Sequence, residues 1–119
     1  MREAFAHEAV LAMAADGDTG APGAAITVEL CGHWDHEPPC PLAPHHTGAR
    51  RVGEDLHLTI LFVAAPDQEG EVRRRIDRAL AAGRLRGPDG VTTRWQLLTS
   101  RRVVVPDDQR RLAQRLLGG

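Results

Sequence analysis

The sequence predicts an α+β fold, a two-layer sandwich in which a mostly antiparallel sheet of three or four strands carries helices on one face. Two stretches, 25–34 and 55–63, alternate apolar and polar residues at period two, which is typical of half-buried strands. Two Pro-Asp dipeptides, at 66–67 and 106–107, each precede a segment with helical apolar spacing. The alternative is a three-stranded sheet that leaves out residues 103–105.

The composition predicts one ordinary globular domain. The chain has 119 residues, of which 42% are hydrophobic and 26% charged, enough for one modest core. A formal net charge of −1 provides no field that would attract nucleic acid or an anionic membrane, so neither is expected as a partner. No apolar run approaches the roughly 20 residues of a membrane helix, and the N-terminus lacks the order of a signal peptide. We therefore expect a cytoplasmic protein. The absence of lysine, asparagine and tyrosine indicates a GC-rich bacterial genome.

The first 23 residues are predicted to form an N-terminal helix and a flexible linker. Residues 3–15 are rich in alanine, which favours a helix. Residues 16–23 contain three glycines and a proline, which end it. Residues 24–119 then form a single α+β domain that carries a Cys/His-rich loop at 31–57.

Two predicted strands frame this loop. In the first, alternation places three aliphatic residues on one face and Cys31 and His33 on the other. In the second, 55–63, the polar face carries His57. If the strands pair with their apolar faces buried together, these three residues share the outer face whatever the register. The connection at 35–53 contains four prolines and is expected to be functional because so long a loop without periodicity usually is.

The second half contains two predicted helices and a third strand. The first helix begins at Pro66-Asp67 and ends at Gly83, and the third strand occupies 91–99. A turn or bulge at 100–102 and a short apolar run at 103–105 precede the last helix. The order strand-strand-helix thus occurs twice, which is a circular permutation of the ferredoxin-like pattern. The expected buried stripe of the first helix is Val72, Ile76 and Leu80, and its solvent-facing arginines are Arg73, Arg74, Arg75 and Arg78.

The strongest chemical signal is a concentration of metal-ligating residues. The segment from Cys31 to His57 contains both cysteines and five of the six histidines, with the spacing Cys-x-His-x₂-His-x₃-Cys-x₄-His-His. This spacing matches no zinc-finger or ribbon pattern, but the segment offers more than the four sulfur and nitrogen ligands that tetrahedral Zn²⁺ needs. The sequence therefore predicts a metal site, with candidate ligands Cys31, His33, His36, Cys40, His45 and His46.

Zinc is the first choice for this site because mixed thiolate and imidazole ligation suits it. Copper, Ni²⁺ and Fe²⁺ are alternatives, since the affinity of a site does not by itself identify the ion. In a competing interpretation, Cys31 is a small core residue and the histidines are solvent-exposed residues of a loop that bind no metal. That interpretation accounts for His7 and His57, but it does not explain why Cys40, His45 and His46 lie together in a proline-rich loop.

A second motif lies on the predicted strand at 55–63. His57-Leu58-Thr59 resembles the His-x-Thr signature of two-histidine phosphoesterases. The resemblance implies an imidazole that acts as acid or base beside a hydroxyl that holds phosphate. That family carries two such motifs on strands, whereas the second candidate here, His45-His46-Thr47, lies in the predicted loop. The resemblance covers these few residues only.

The expected function is that of a small metal-binding protein whose Cys/His-rich loop folds around the ion. The folded loop would form a surface that binds a partner, or that senses or handles the metal. The alternative is a metal-dependent hydrolase-type enzyme or accessory subunit, in which the same cluster leaves one coordination position open for water. Candidate partners besides the ion are another protein, or a second copy of the chain bound through the uncovered face of the sheet.

Overall fold

The computed structural model describes residues 1–31 and 43–118, with Cys31 described through its backbone alone. Short 3₁₀ turns at Pro66–Gln68 and Asp107–Gln109 precede two of the helices. None of the helices in these two ranges is long and apolar enough to cross a bilayer. In chain order the elements are β1 (Glu3–Ala12), α1 (Ala21–Cys31), β2 (His45–Val52), β3 (Asp55–Ala64), α2 (Glu69–Ala82), β4 (Arg84–Arg86), β5 (Thr92–Arg94), β6 (Gln96–Val103) and α3 (Arg110–Gly118).

The main sheet has four antiparallel strands in the order β2-β3-β1-β6, and β4 and β5 form a separate hairpin. The α+β class and the antiparallel sheet are thus confirmed. Helices α1 and α2 contact each other and cover one face, as a two-layer sandwich predicts. The predicted strand-strand-helix repeat is not found, because α1 lies between the first two strands of the sheet.

The core lies between the sheet and the pair α1 and α2. Alternating residues of β3 point into it because successive strand residues face opposite sides. Near its C-terminal end β3 is buried on its other face as well, where Leu61 and Val63 lie with Ala6 of β1. Helix α3 contacts β1 and β3 and buries Ala113, so it covers this part of the second face. The large side chains that are fully buried in this core include Leu11, Ile26, Leu56, Leu58, Ile60, Phe62, Val72, Ile76 and Leu80.

The predicted N-terminal helix is wrong, because residues 3–12 form β1, a central strand paired with both β3 and β6. Phe5, His7, Ala9 and Leu11 face the helices at period two. Alanine favours a helix in isolation, but pairing on both sides outweighs that small local preference.

The predicted strand at 25–34 is also wrong over its described part, which is helix α1. Ile26 and Leu30, which suggested alternation, are both buried and lie four residues apart, a spacing that fits a helix as well as a strand. Pro22, near the first turn of the helix, suits a helix start. The expected common outer face for Cys31 and His57 therefore does not exist.

Strand β2 forms inside the segment that was predicted to be a loop. It pairs with β3 from His45 opposite Phe62 to Val52 opposite Asp55. The two-residue turn between them has Gly53 at φ 61°, a conformation that glycine adopts readily in tight hairpins. β2 is an edge strand with few apolar residues, so its hydrophobic pattern is too weak to be recognised in the sequence.

In the second half the two helices are confirmed, but the predicted strand at 91–99 is divided at Trp95 between β5 of the separate hairpin and β6 of the main sheet. Helix α2 ends at Gly83, and Val72, Ile76 and Leu80 form its fully buried stripe. Residues 100–102 are wrongly predicted as a turn, because β6 continues through them to Val103 and pairs with β1. The irregularity in this pairing lies earlier, between Val10 and Leu11 of β1.

Candidate functional site

The predicted metal ligands fall partly outside the structure. His33, His36 and Cys40 are not among the described residues, and neither is the side chain of Cys31. The other two candidate ligands are the first residues of β2. Across residues 1–30 and 43–118, no group of three His, Cys, Asp or Glu side chains converges in a way that could hold a metal ion.

His45 faces α1, and each of its ring nitrogens lies within hydrogen-bonding distance of an oxygen. Its Nδ1 lies 3.1 Å from the carbonyl oxygen of Ala43, which can only accept, so Nδ1 carries the proton. In the neutral ring Nε2 is then an acceptor, and it lies 3.0 Å from the hydroxyl oxygen of Thr27. The same hydroxyl is 3.2 Å from the carbonyl oxygen of Gly23, a second acceptor on α1.

His46 faces the opposite side of the sheet from His45, as successive strand residues must. It is exposed and pairs with Leu61, while His57 lies on the same side opposite Arg50. Leu61, which lies opposite His46, is four residues from His57 along β3, a distance of about 13 Å at 3.3 Å per residue. One ion cannot bridge that distance, since Zn–N bonds are about 2.0–2.1 Å.

The two His-x-Thr motifs are on opposite faces. His57 and Thr59 lie on the side that α1 and α2 leave open, whereas His45 and Thr47 face α1. The hydroxyl of Thr47 is buried without a hydrogen-bond partner among the described residues. A paired two-histidine active site needs both motifs to face one substrate, and this sheet separates them.

A groove of about 540 Å³ lies on the open side of the sheet. We call it the open-face groove. Its floor is formed by β1, β2 and β3, and its wall by the turn before α3, which includes Asp108. The polar residues of the floor are Glu8, His46, Arg50, His57 and Thr59. The Glu8 carboxylate is engaged by Arg101 at 3.0 Å.

A buried polar network on the other face was not anticipated from the sequence. His7 is only 3% exposed. Its Nδ1 lies 2.9 Å from an Nη of Arg73, and its Nε2 lies 2.6 Å from the hydroxyl oxygen of Ser100. Arginine only donates, so Nδ1 accepts, and the proton of the neutral ring is on Nε2. Ser100 therefore accepts a hydrogen bond from His7 and donates one to Asp77. In a nucleophile activated by a histidine base the hydroxyl donates to the imidazole instead, so this pair is not arranged for nucleophilic catalysis.

Arg73 connects this network to the core, although the helix pattern predicted that it faces solvent. Its side chain is only 12% exposed and pairs with Glu69 at 2.8 Å. It also donates to the carbonyl oxygen of Ala6 at 2.8 Å. Its guanidinium lies over the rings of Phe5 and Phe62, with distances of 5.9 and 5.2 Å to the centroids. The sequence does contain a signal for the burial of His7, which occupies one position of the alternating row Phe5, His7, Ala9 and Leu11. That signal becomes apparent only if residues 3–12 are assigned to a strand.

The network predicts that the protein loses stability as the pH falls. Burial lowers the pKa of His7 below 6.5, and nearby Arg73 lowers it further, against the opposing effect of Asp77. The fold therefore requires neutral His7, whereas the unfolded chain takes up a proton near pH 6.5. The stabilisation that depends on neutral His7 is fully present above pH 6.5. It is lost as the pH falls from there towards the folded-state pKa of His7, by at most about 1.4 kcal/mol per pH unit.

Urea unfolding at several pH values between about 7.5 and 5 measures this loss. His7→Gln is the matched variant, because an amide can accept from Arg73 and donate to Ser100 but does not titrate. We expect the variant to lose less stability than the wild type over this range. Equal losses in the two proteins would show that His7 does not carry the pH dependence.

The sequence has no recognisable relatives among known families: no protein-family model matches it, and no curated protein is significantly similar to it.

Proposed function

We propose that this is a small metal-binding protein, with zinc as the first choice, whose ion is held where α1 ends and β2 begins. The setting of His45 supports this proposal. Metal-bound histidines almost always donate their second ring nitrogen to a carbonyl or carboxylate, which fixes the orientation of the ligating nitrogen. His45 has this arrangement, with Nδ1 3.1 Å from the carbonyl oxygen of Ala43.

The Thr27 hydroxyl has a second acceptor besides His45. The Thr27 hydroxyl is 3.0 Å from Nε2 and 3.2 Å from the carbonyl oxygen of Gly23. When an ion takes Nε2, the hydroxyl can donate to Gly23 alone, so it keeps a hydrogen bond. The Thr27 hydroxyl is therefore not left without a partner, which would cost about 1–3 kcal/mol.

The packing of α1 against β2 sets Thr27, in the second half of α1, beside His45 at the start of β2. A Cβ added to Gly23 would lie 3.2 Å from Thr47, and Thr27, one helical turn later, reaches His45. The contacts move forward along α1, from Gly23 to Thr27, and backward along β2, from Thr47 to His45, so the two elements run antiparallel. The spacings match, because one helical turn and two strand residues each cover about 6 Å. Position 31 is the last residue of α1, four residues after Thr27.

The proposed ligands are Cys31 and His45 on this framework, together with Cys40 and either His33 or His36 from the intervening segment. His46 is left out of the set because it faces the other side of the sheet. Mixed thiolate and imidazole ligation favours Zn²⁺, with copper, Ni²⁺ and Fe²⁺ as alternatives. The ion would close the segment onto the framework and create a surface for a protein partner or for metal handling.

We infer that the framework itself is an unpermuted ferredoxin-like unit. The chain order β1-α1-β2-β3-α2-β6 is the β-α-β-β-α-β order of such units, with the β4–β5 hairpin inserted before the last strand. Folds of this kind carry many unrelated functions, so the proposed metal site does not depend on it.

Metal analysis of protein purified without added metal tests the proposal. We expect equimolar zinc in the wild type and in His46→Ala, and loss of most of it in His45→Ala and Cys40→Ser. The two histidine variants are matched, since they remove the same side chain from neighbouring positions on opposite faces. Absence of metal from the wild type, or full retention by His45→Ala, would contradict the proposal.

X-ray absorption of the loaded protein then separates the two functional hypotheses. Four protein ligands indicate a closed binding site, whereas three ligands and a water indicate the hydrolase-type alternative.

A further inference from the structure

We propose that the open-face groove binds a tetrahedral oxyanion, namely the phosphate group of inorganic phosphate or of a small phosphate monoester, over Gly48 and between Arg50, His57 and Thr59. This site lies on the opposite face of the sheet from His45 and does not depend on the proposed metal site.

The register of β2 and β3 places the donors around one point. Arg50 is directly opposite His57, and Gly48 is directly opposite Thr59. Opposed residues of antiparallel strands have Cβ atoms about 4.5–5.5 Å apart. A guanidinium, an imidazole and a hydroxyl therefore border the space above Gly48, and His46 closes the far end of the same row.

The nitrogen donors of the groove have no competing partners in the described ranges. The side chains of Arg50, His46 and His57 make no hydrogen bond or ion pair with residues 1–30 or 43–118. Most other arginines near the sheet are engaged, for example Arg51 with the carbonyl oxygen of Met13 at 2.6 Å. Arg50 is thus a cation beside the cavity that forms no ion pair within these ranges. The carboxylates of the groove are Glu8, which Arg101 holds, and Asp108.

Gly48 lies in the interior of a strand where the fold does not require glycine. Positive φ values among the glycines occur only at Gly53, Gly83 and Gly90 in the described part of the chain. A Cβ added to Gly48 would meet only the carbonyl oxygen of Thr59, at 3.9 Å. A glycine inside a strand often marks a bulge, a tight bend, or the close approach of a ligand or another backbone. The pairing of β2 with β3 continues through Gly48 without a register shift, which leaves the approach of a ligand as the explanation we favour. The missing side chain leaves the floor of the groove open between His46 and Arg50.

The geometry favours a phosphate group over a metal ion or a carboxylate. The histidines are too far apart to share an ion, and no metal-binding group exists among the described residues. Donors on several sides suit a tetrahedral group with three terminal oxygens better than a planar carboxylate. Arginine in particular binds phosphate through two parallel hydrogen bonds. The carboxylate of Asp108, on the wall of the groove, could accept a hydrogen bond from an amino or hydroxyl group on the organic part of a phosphate monoester.

An NMR titration of the ¹⁵N-labelled full chain tests this proposal. Inorganic phosphate and phosphoethanolamine are added separately at constant ionic strength, with sodium chloride as the reference salt. We expect saturable shifts of the amide signals at 48–50 and 57–59. Equal affinities would identify the free oxyanion as sufficient, and tighter binding of phosphoethanolamine would identify the monoester; both results support the site.

Two variants and a control make the test specific. Arg50→Ala and Gly48→Ala should each weaken binding about ten-fold or more, the first by removing a charged donor and the second by filling the floor. Gly48→Ala should not lower the thermal midpoint, because alanine is less costly than glycine in a strand. Arg84→Ala removes the same charge from exposed β4, away from the groove, and should bind like the wild type.

The proposal is overturned if neither phosphate compound gives shifts beyond those of sodium chloride, or if Gly48→Ala binds as tightly as the wild type. Binding by His45→Ala at wild-type affinity would show that this site is independent of the proposed metal site.

Discussion

Replacing Arg73 with alanine is expected to lower the free energy of unfolding by about 2–4 kcal/mol. The guanidinium is largely buried and donates to Glu69, to the carbonyl oxygen of Ala6 and to His7. Its removal leaves the carbonyl and the imidazole of a central strand without this donor, and it empties the space over two aromatic rings. Glu69 keeps one partner, because Arg102 also reaches it at 2.8 Å.

Urea unfolding of two matched variants separates this effect from a simple loss of charge. Arg74→Ala removes the same side chain from the next position of α2, where it is 69% exposed, and should change stability by less than about 0.5 kcal/mol. Arg73→Lys keeps the charge but not the planar fork, so an intermediate loss is expected. If Arg73→Ala and Arg74→Ala proved equally stable, the buried network would not contribute to folding.

Replacing Gly83 with alanine is expected to cost about 2–3 kcal/mol. Gly83 ends α2 at φ 71°, a left-handed conformation that a side chain disfavours. An added Cβ would also lie 2.8 Å from the carbonyl oxygen of Trp95. Relief of this clash would separate two backbones that are joined by the hydrogen bond from the Trp95 amide to the Gly83 carbonyl, 2.9 Å long.

Gly70→Ala is the control for this substitution. Gly70 lies in the first turn of α2, has no positive φ, and an added Cβ would meet Arg74 at an ordinary 3.5 Å. Because alanine is the better helix former, this variant should be as stable as the wild type or up to about 1 kcal/mol more stable. Denaturant unfolding of both variants gives the comparison, and a Gly83→Ala protein as stable as Gly70→Ala would refute the argument.

Strand β3 and helices α2 and α3 could be predicted from the sequence because their local signals and their tertiary packing agree. The alternating residues of β3 and the stripe of α2 allow one interpretation each, and Gly83 marks a helix end by its own conformational preference. In the first half the signals were ambiguous. Ile26 and Leu30 fit both periods, and the alanines of β1 favour a helix until two partner strands are in place.

The candidate site shows the same division between local and long-range information. The concentration of Cys31, Cys40 and several histidines in one segment could be recognised without a structure, because it depends only on residue types and their spacing along the chain. The formation of β3 and α2 could be recognised in the same way, since their periodicities are local.

Which of these residues share a face depends on how the strands and helices pack. Pairing of β2 with β3 turned His45 towards α1 and His46 towards the open side, because the register of a strand allots every side chain to one face. Folding likewise joined His7 to Ser100, 93 residues away, and buried Arg73 from a helix that looks solvent-facing in isolation. Such contacts depend on distances between elements, and no local pattern in the chain encodes them.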